Sequence, residues 1–213
     1  MNTNLRYGGR SPLALAILCL LAYEPMHPYR MQQLIKNWGK DLVINVGQRK
    51  TLYTTIDRLV RDGLVDVEGR SRQQAFPERT TYRLTEPGQA ACRSWLRDML
   101  ATPRREYPEF PAAVSFLLLL QPGEVLAELD KRLTAIGDQL ARIDGELAAG
   151  QDAAPRVSLL ELEYLRAITH AEQQWLASVI SDLRTGRLTW SDESLRGAAA
   201  QSATNAVTQQ EDR

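Results

Sequence analysis

Apolar residues recur along this 213-residue chain with helical spacing, then briefly with strand character, then again with helical spacing. Positions 13–22 form a continuous apolar run that opens on Ser11-Pro12 and stops before Pro25. Serine as N-cap with proline at the first helical position predicts a helix over about 11–22. Met31, Leu34, Ile35 and Trp38 then fall at i, i+3, i+4 and i+7, one buried helical face, in a helix that begins near Pro28 and is broken at Gly39. Leu52, Ile56, Leu59 and Val60 repeat the pattern and predict a third helix over about 47–62, closed by Gly63. Leu64, Val65 and Val67 suit a short strand, an arginine-bearing polar stretch covers 69–79, and Thr80-Thr81-Tyr82-Arg83-Leu84 reads as a second strand. Thr85-Glu86-Pro87 caps a fourth helix that reaches about Leu100. Three helices, a two-stranded ribbon and a helix are the order of a winged helix-turn-helix.

Pro103, Pro108 and Pro111 then punctuate the chain and mark a domain boundary. A short helix is expected over about 110–120 and a long one from Pro122-Gly123. In the long helix Leu126, Leu129, Leu133, Ile136, Leu140, Ile143 and Leu147 alternate spacings of three and four, a heptad seam. Positions 150–155 interrupt it, and a last helix over about 156–185 presents Leu176, Val179, Ile180 and Leu183. From 191 onward large apolar residues are nearly absent, so a disordered tail is expected over 191–213. The fold class is therefore mainly α with a small β-wing. Residues 1–105 form an N-terminal winged helix-turn-helix, and residues 106–190 a C-terminal helical dimerisation domain. Leu126 to Leu147, with Leu176, Val179 and Leu183, are its candidate dimerisation residues.

Charge changes this picture only once the chain is divided. Its 26 Lys+Arg and 26 Asp+Glu cancel, which taken whole argues against a polyanionic partner. Residues 1–105, however, hold 17 of the cations against 9 anions, and residues 106–213 hold 9 against 17, so the halves stand at +8 and −8. A basic module joined to an acidic one suits binding of a polyanion by the first half alone. Cys19 and Cys92 form no C-x-x-C pair and read as small buried hydrophobes in a reducing compartment. With His27 and His170 the only histidines, both distant from either cysteine in sequence, no metal-ligand spacing arises and neither metal nor cofactor is expected. Arg6 and Arg10 before the run 13–22 loosely imitate a signal peptide, but the run ends in Tyr-Glu-Pro without a small-x-small site. An ordinary first helix of a soluble, cytoplasmic protein is expected, with no membrane partner. The run 112–120 is far shorter than the roughly 20 residues of a membrane span.

The third helix carries the candidate chemistry. Opposite its apolar face lie Lys50, Thr54, Arg58 and Arg61, flanked by Thr51, Tyr53 and Asp57, with Gln48 and Arg49 at the N-terminal end. Arginine and lysine donate to guanine or phosphate, glutamine pairs with adenine, and the hydroxyls bond phosphates. Any amphipathic helix has a polar outer face, so the wing matters: Arg70, Arg72 and Arg79 lie in and beside its loop, placed for the minor groove or phosphates.

Residues of about 13–100 resemble the PadR family of transcriptional regulators. The segment TLYTTIDRLVRDGLVDVEG at 51–69 is similar to the family's S-L-Y-P-x-L-x-R-L-x-x-x-G-L-V pattern, with Tyr53, Leu59, Gly63 and Leu64 in register. TTYRLTEPG at 80–88 resembles its Y-x-L-T-x-x-G segment, and PMHPYRMQQLI at 25–35 its P-x-H-G-Y-x-L. Pro28 replaces the usual glycine and Thr54 the usual proline, so the start of the recognition helix is left open. The acidic half looks like the larger subfamily with a multi-helix C-terminal domain. The resemblance implies a homodimer on a palindromic operator, acting as a repressor released by a small hydrophobic or phenolic effector. Trp95, Tyr164, His170 and Trp175 are candidate effector-binding residues, although aromatic residues at helical spacing also suit plain packing. No phosphate loop, nucleophile motif or paired-carboxylate site appears, so no enzyme is expected. The alternative of another class is a winged-helix protein-interaction module without DNA binding.

Overall fold

The computed structural model describes residues 10–71, 79–151 and 153–191. The expected tail, apart from Ser191, lies outside them, as does Arg72. The chain divides into two compact units between Arg105 and Glu106.

The first unit runs α1 (Pro12–Leu21), α2 (Pro28–Asn37), a 3-10 turn (Lys40–Leu42), α3 (Arg49–Arg61), β1 (Val65–Ser71), β2 (Arg79–Leu84) and α4 (Glu86–Ala101). Each helix starts where the capping chemistry lies. The Ser11 hydroxyl accepts from the Ala14 amide at 3.1 Å, and the His27 imidazole Nδ1 accepts from the Arg30 amide at 3.0 Å. In both, proline follows at the first helical position, where its missing N–H is no loss. Helix α3 ends in two reverse bonds, Leu64 amide to Leu59 carbonyl at 2.9 Å and Gly63 amide to Val60 carbonyl at 3.0 Å. Gly63 adopts φ +71°, which a side chain would resist. The chain then turns into the antiparallel wing, where Val65 pairs with Leu84 and Ser71 with Arg79 across an irregularity at Val67–Gly69. Met26 adds an isolated bridge to Tyr82, exchanging bonds of 3.0 and 3.1 Å. One residue of pairing leaves no alternation for a sequence pattern to reveal.

Ile17, Leu18, Met31, Ile35, Leu52, Ile56, Leu59 and Leu64 are almost wholly buried and join the helices to the wing. Trp38, expected on that face, is 51% exposed. It is the C-cap of α2, where the backbone has left the helical conformation and the period no longer aims the side chain inward.

The second unit holds α5 (Glu109–Val114), a 3-10 turn (Leu117–Leu119), α6 (Pro122–Gln151), a 3-10 turn (Arg156–Ser158) and α7 (Leu160–Arg184). The helix expected over 110–120 is thus broken after Val114, and the last helix starts four residues late. Helices α6 and α7 pair along their length. Salt bridges Asp130–Arg184, Arg132–Glu172 and Asp144–Arg166 join early positions of one to late positions of the other, so the pair is antiparallel.

This pairing changes the reading of the heptad seam. Leu129, Ile136 and Ile143 are buried within one chain, as are Leu162, Leu176 and Ile180 of α7. The alternate positions Leu126, Leu133, Leu140 and Leu147 stay half-buried. Val179 and Leu183, expected at a dimer interface, are half-buried against the same core. A heptad row requires an apolar neighbour and is indifferent to whether a partner chain or a returning helix supplies it.

Candidate nucleic-acid interface

Helix α3 owes its position to two bonds in the segment before it and to its own buried face. The Gln32 side-chain amide on α2 donates to the Val46 carbonyl at 2.8 Å, and Val46 is itself buried. The Asn45 side chain accepts from the Gly47 amide at 3.1 Å, turning the chain into the helix. Leu52, Ile56 and Leu59 then anchor the inner face. Thr55, beside them, is buried and satisfies its hydroxyl by donating to the Thr51 carbonyl at 2.7 Å.

The helix begins at Arg49 with Gln48 as N-cap, and no side chain caps it. Its first turn therefore presents amide N–H groups and the positive end of the helix dipole, an arrangement that accepts phosphate. Thr54 is the sixth residue of the helix, and its side chain is exposed. With an amide N–H at 54, the regular helix extends back to Arg49.

Gln48, Arg49, Lys50, Thr51, Tyr53 and Thr54 are exposed and Arg58 is half-buried. A shallow cleft of about 370 Å³ runs beside the helix, lined by Lys50, Thr51, Thr54, Thr55, Arg58 and Arg61. Three of the six are cations and three are hydroxyls, a lining with no carboxylate. Lys50, Thr54, Arg58 and Arg61 form one stripe along the helix, a run of cations and a hydroxyl whose chemistry suits an extended anion. Arg70 and Arg79 stand opposite Thr80 and Ser71 in the wing register. Arg83, which the sequence pattern did not single out, is held by Asp66 across the strands at 3.1 Å.

Residues 17–94 match the family described as "Transcriptional regulator PadR-like family". The matched span runs from α1 through the wing into α4, the winged helix just described. The winged helix of this chain matches the PadR-like family of transcriptional regulators. That family regulates transcription and performs no catalysis.

Solved structures agree in fold. Bacillus subtilis PadR in complex with operator DNA superposes with a TM-score of 0.64 at 18% identity, over 81% of this chain and 99% of that one. The same protein in complex with p-coumaric acid gives 0.62 at 19% identity, over 81% and 98%. A PadR-like transcriptional regulator from Bacillus cereus gives 0.59 at 13% identity, over 82% and 99%. No curated protein matches the chain in sequence.

The expected effector residues are scattered. Trp95 is 6% exposed, packed into the core of the first unit with Ala91 and Cys92. Trp175 on α7 meets Phe110 edge to face at 5.8 Å, and Arg132 lies 3.6 Å above the Phe110 ring. Tyr164 projects from α7 at 66% exposure. Of the three on α7, only His170 lines the large open cleft of the second unit, about 840 Å³, with Leu147, Leu159 and the Asp144–Arg166 pair. A helical period reports which positions share a face, and it cannot report which of them border empty space.

Proposed function

We propose that this regulator is a homodimeric, sequence-specific repressor that reads a palindromic operator through α3 and the wing and is released by a small hydrophobic or phenolic effector. The observation that carries the reading is the carboxylate-free stripe of Lys50, Thr54, Arg58 and Arg61 beside an uncapped helix start at Gln48 and Arg49. In such docking the N-terminal end of the helix reaches base edges and its flank lies on phosphate. Gln48, Arg49 and Lys50 then take the base edges, while Thr51, Tyr53, Thr54 and Arg58 bond the backbone. Arg70 and Arg79, with Arg72 outside the described residues, are assigned to the neighbouring minor groove or phosphates. The structure of Bacillus subtilis PadR with operator DNA supports this use of the fold.

Dimerisation rests on apolar surface that the described residues leave uncovered. Leu119, Leu160, Tyr164 and Ile168 are exposed in the second unit, and Leu126, Leu133, Leu140 and Leu147 are half covered. The p-coumaric acid complex of the Bacillus protein supports a phenolic effector, for which His170 in its cleft is the residue to probe. Among the described residues no helix is long and apolar enough to cross a membrane, and the protein acts in the cytoplasm where its operator is.

Binding of the purified protein to a labelled duplex of its own upstream region tests the reading. Affinity should fall about 1,000-fold between 50 and 200 mM salt for roughly six phosphate contacts. Arg49→Ala and Lys50→Ala should each weaken binding and relax its sequence preference, whereas Arg58→Ala should weaken it across all sequences and lower the salt slope by about 1. No retention of that duplex at low salt would overturn the reading.

A further inference from the structure

Cys19 on α1 and Cys92 on α4 stand 73 positions apart in sequence, yet their Sγ atoms lie 3.4 Å apart. Both are free thiols. Cys92 is closed off at 6% exposure. Cys19 is half-buried and forms part of the wall of an apolar cleft of about 370 Å³, with Leu15, Leu20, Trp38, Val43 and Met99. A small neutral solute therefore reaches one sulfur, and the second waits in contact behind it.

We propose that Cys19 and Cys92 are an oxidation site, where a hydroperoxide entering the cleft forms an intrachain disulfide that ties α1 to α4 and weakens DNA binding. Cys19 sulfur attacks one peroxide oxygen, the O–O bond breaks, and a sulfenic acid and one water form with hydrogen peroxide as oxidant. Cys92 sulfur then attacks Cys19 sulfur and expels hydroxide, which takes the Cys92 proton and leaves as a second water. Two thiols lose two protons and two electrons, and the peroxide gains them.

Contact between the sulfurs decides the product. A sulfenic acid with a thiol at 3.4 Å condenses before further oxidation reaches it. Bond formation requires closure from 3.4 Å to about 2.05 Å. Helix α1 packs on both α4 and α3, so this closure bears on the helix that supports Leu52 and Ile56. Burial, with the Cys92 contact adding to it, pushes the Cys19 thiol up to about 12. At neutral pH the sulfur is held protonated, which slows weak oxidants, and its oxidation should quicken about tenfold per pH unit below that value.

The test uses the full chain treated with hydrogen peroxide at pH 7.5 and 8.5, followed by thiol counting in denaturant, intact mass and a non-reducing gel. Expected are loss of both thiols without an interchain band, faster at pH 8.5, and full recovery with dithiothreitol. Cys92→Ser should instead leave a Cys19 sulfenic acid that dimedone traps. Operator affinity should fall threefold or more on oxidation, return with dithiothreitol, and stay constant under peroxide in Cys19→Ser. Two persistent thiols, dimedone trapping in the wild type, or a disulfide with unchanged affinity would each overturn the proposal. The affinity arm rests on the proposed DNA binding, whereas the thiol count does not, so the two failures are distinguishable.

Discussion

Single residues mark where backbones approach most closely. Gly88 opens α4 directly under the wing, where a Cβ would collide with the Leu64 carbonyl oxygen. Thr85 clamps the same place, accepting from the Gly88 amide at 3.0 Å and donating to the Gly63 carbonyl at 2.8 Å. The family-like TEPG segment thus has a packing reason as well as a capping one. Gly88→Ala should cost about 1–3 kcal/mol in urea unfolding, because backbone must shift to admit the methyl. Gly145→Ala is the contrast: it lies mid-helix in α6, where an added methyl would meet nothing within 4 Å, and should stabilise by about 0.5–1 kcal/mol. Cys19 has a pH signature at the same scale. Its folded value of about 12 stands above the ordinary 9.0, so the stability it contributes is whole below pH 9 and is lost as pH rises towards 12. Melting temperatures from pH 8 to 11 should decline more steeply for the wild type than for Cys19→Ala.

Elements were legible where local chemistry and burial agree. Helices α1 to α4 begin within two residues of their expected starts, because Ser11, His27 and Thr85 cap through bonds made inside their own turn. Elements whose limits depend on neighbours were not. Val114 ends α5 early, and the Met26–Tyr82 bridge is a single pair formed by distant segments. The α6 seam shows the same division energetically. Ile143 is wholly buried against the chain's own helices, so Ile143→Ala should lower stability by about 2–5 kcal/mol in denaturant titration. Leu140, half-buried, should cost clearly less. Equal costs would show that the intrachain pairing does not dominate the seam. The exposed ion pairs along α6 and α7 set register and contribute about 0–1 kcal/mol each.

At the scale of the whole molecule the separation of charge follows the separation of units. The first unit holds +8 and the second −8, so the cationic excess belongs to one unit alone. In solution a dimer should show twice the 24.0 kDa chain mass by light scattering. The double change Leu133→Asp with Leu140→Asp should return the monomer mass and weaken operator binding by about 100-fold, the loss of two linked half-sites. A monomer mass for the wild type would remove the palindromic part of the proposal.

The sequence alone determined the element order, the winged helix-turn-helix and the outward cationic face of α3, since periodicity and capping act within a few residues. It could also show the charge asymmetry, which is a sum over positions and needs no coordinates. Only the tertiary structure decided that half the heptad seam closes on α7, that Trp95 serves the core, and that Cys19 touches Cys92. Those depend on which surfaces meet across long stretches of chain, and a pattern along one helix carries no record of its neighbour.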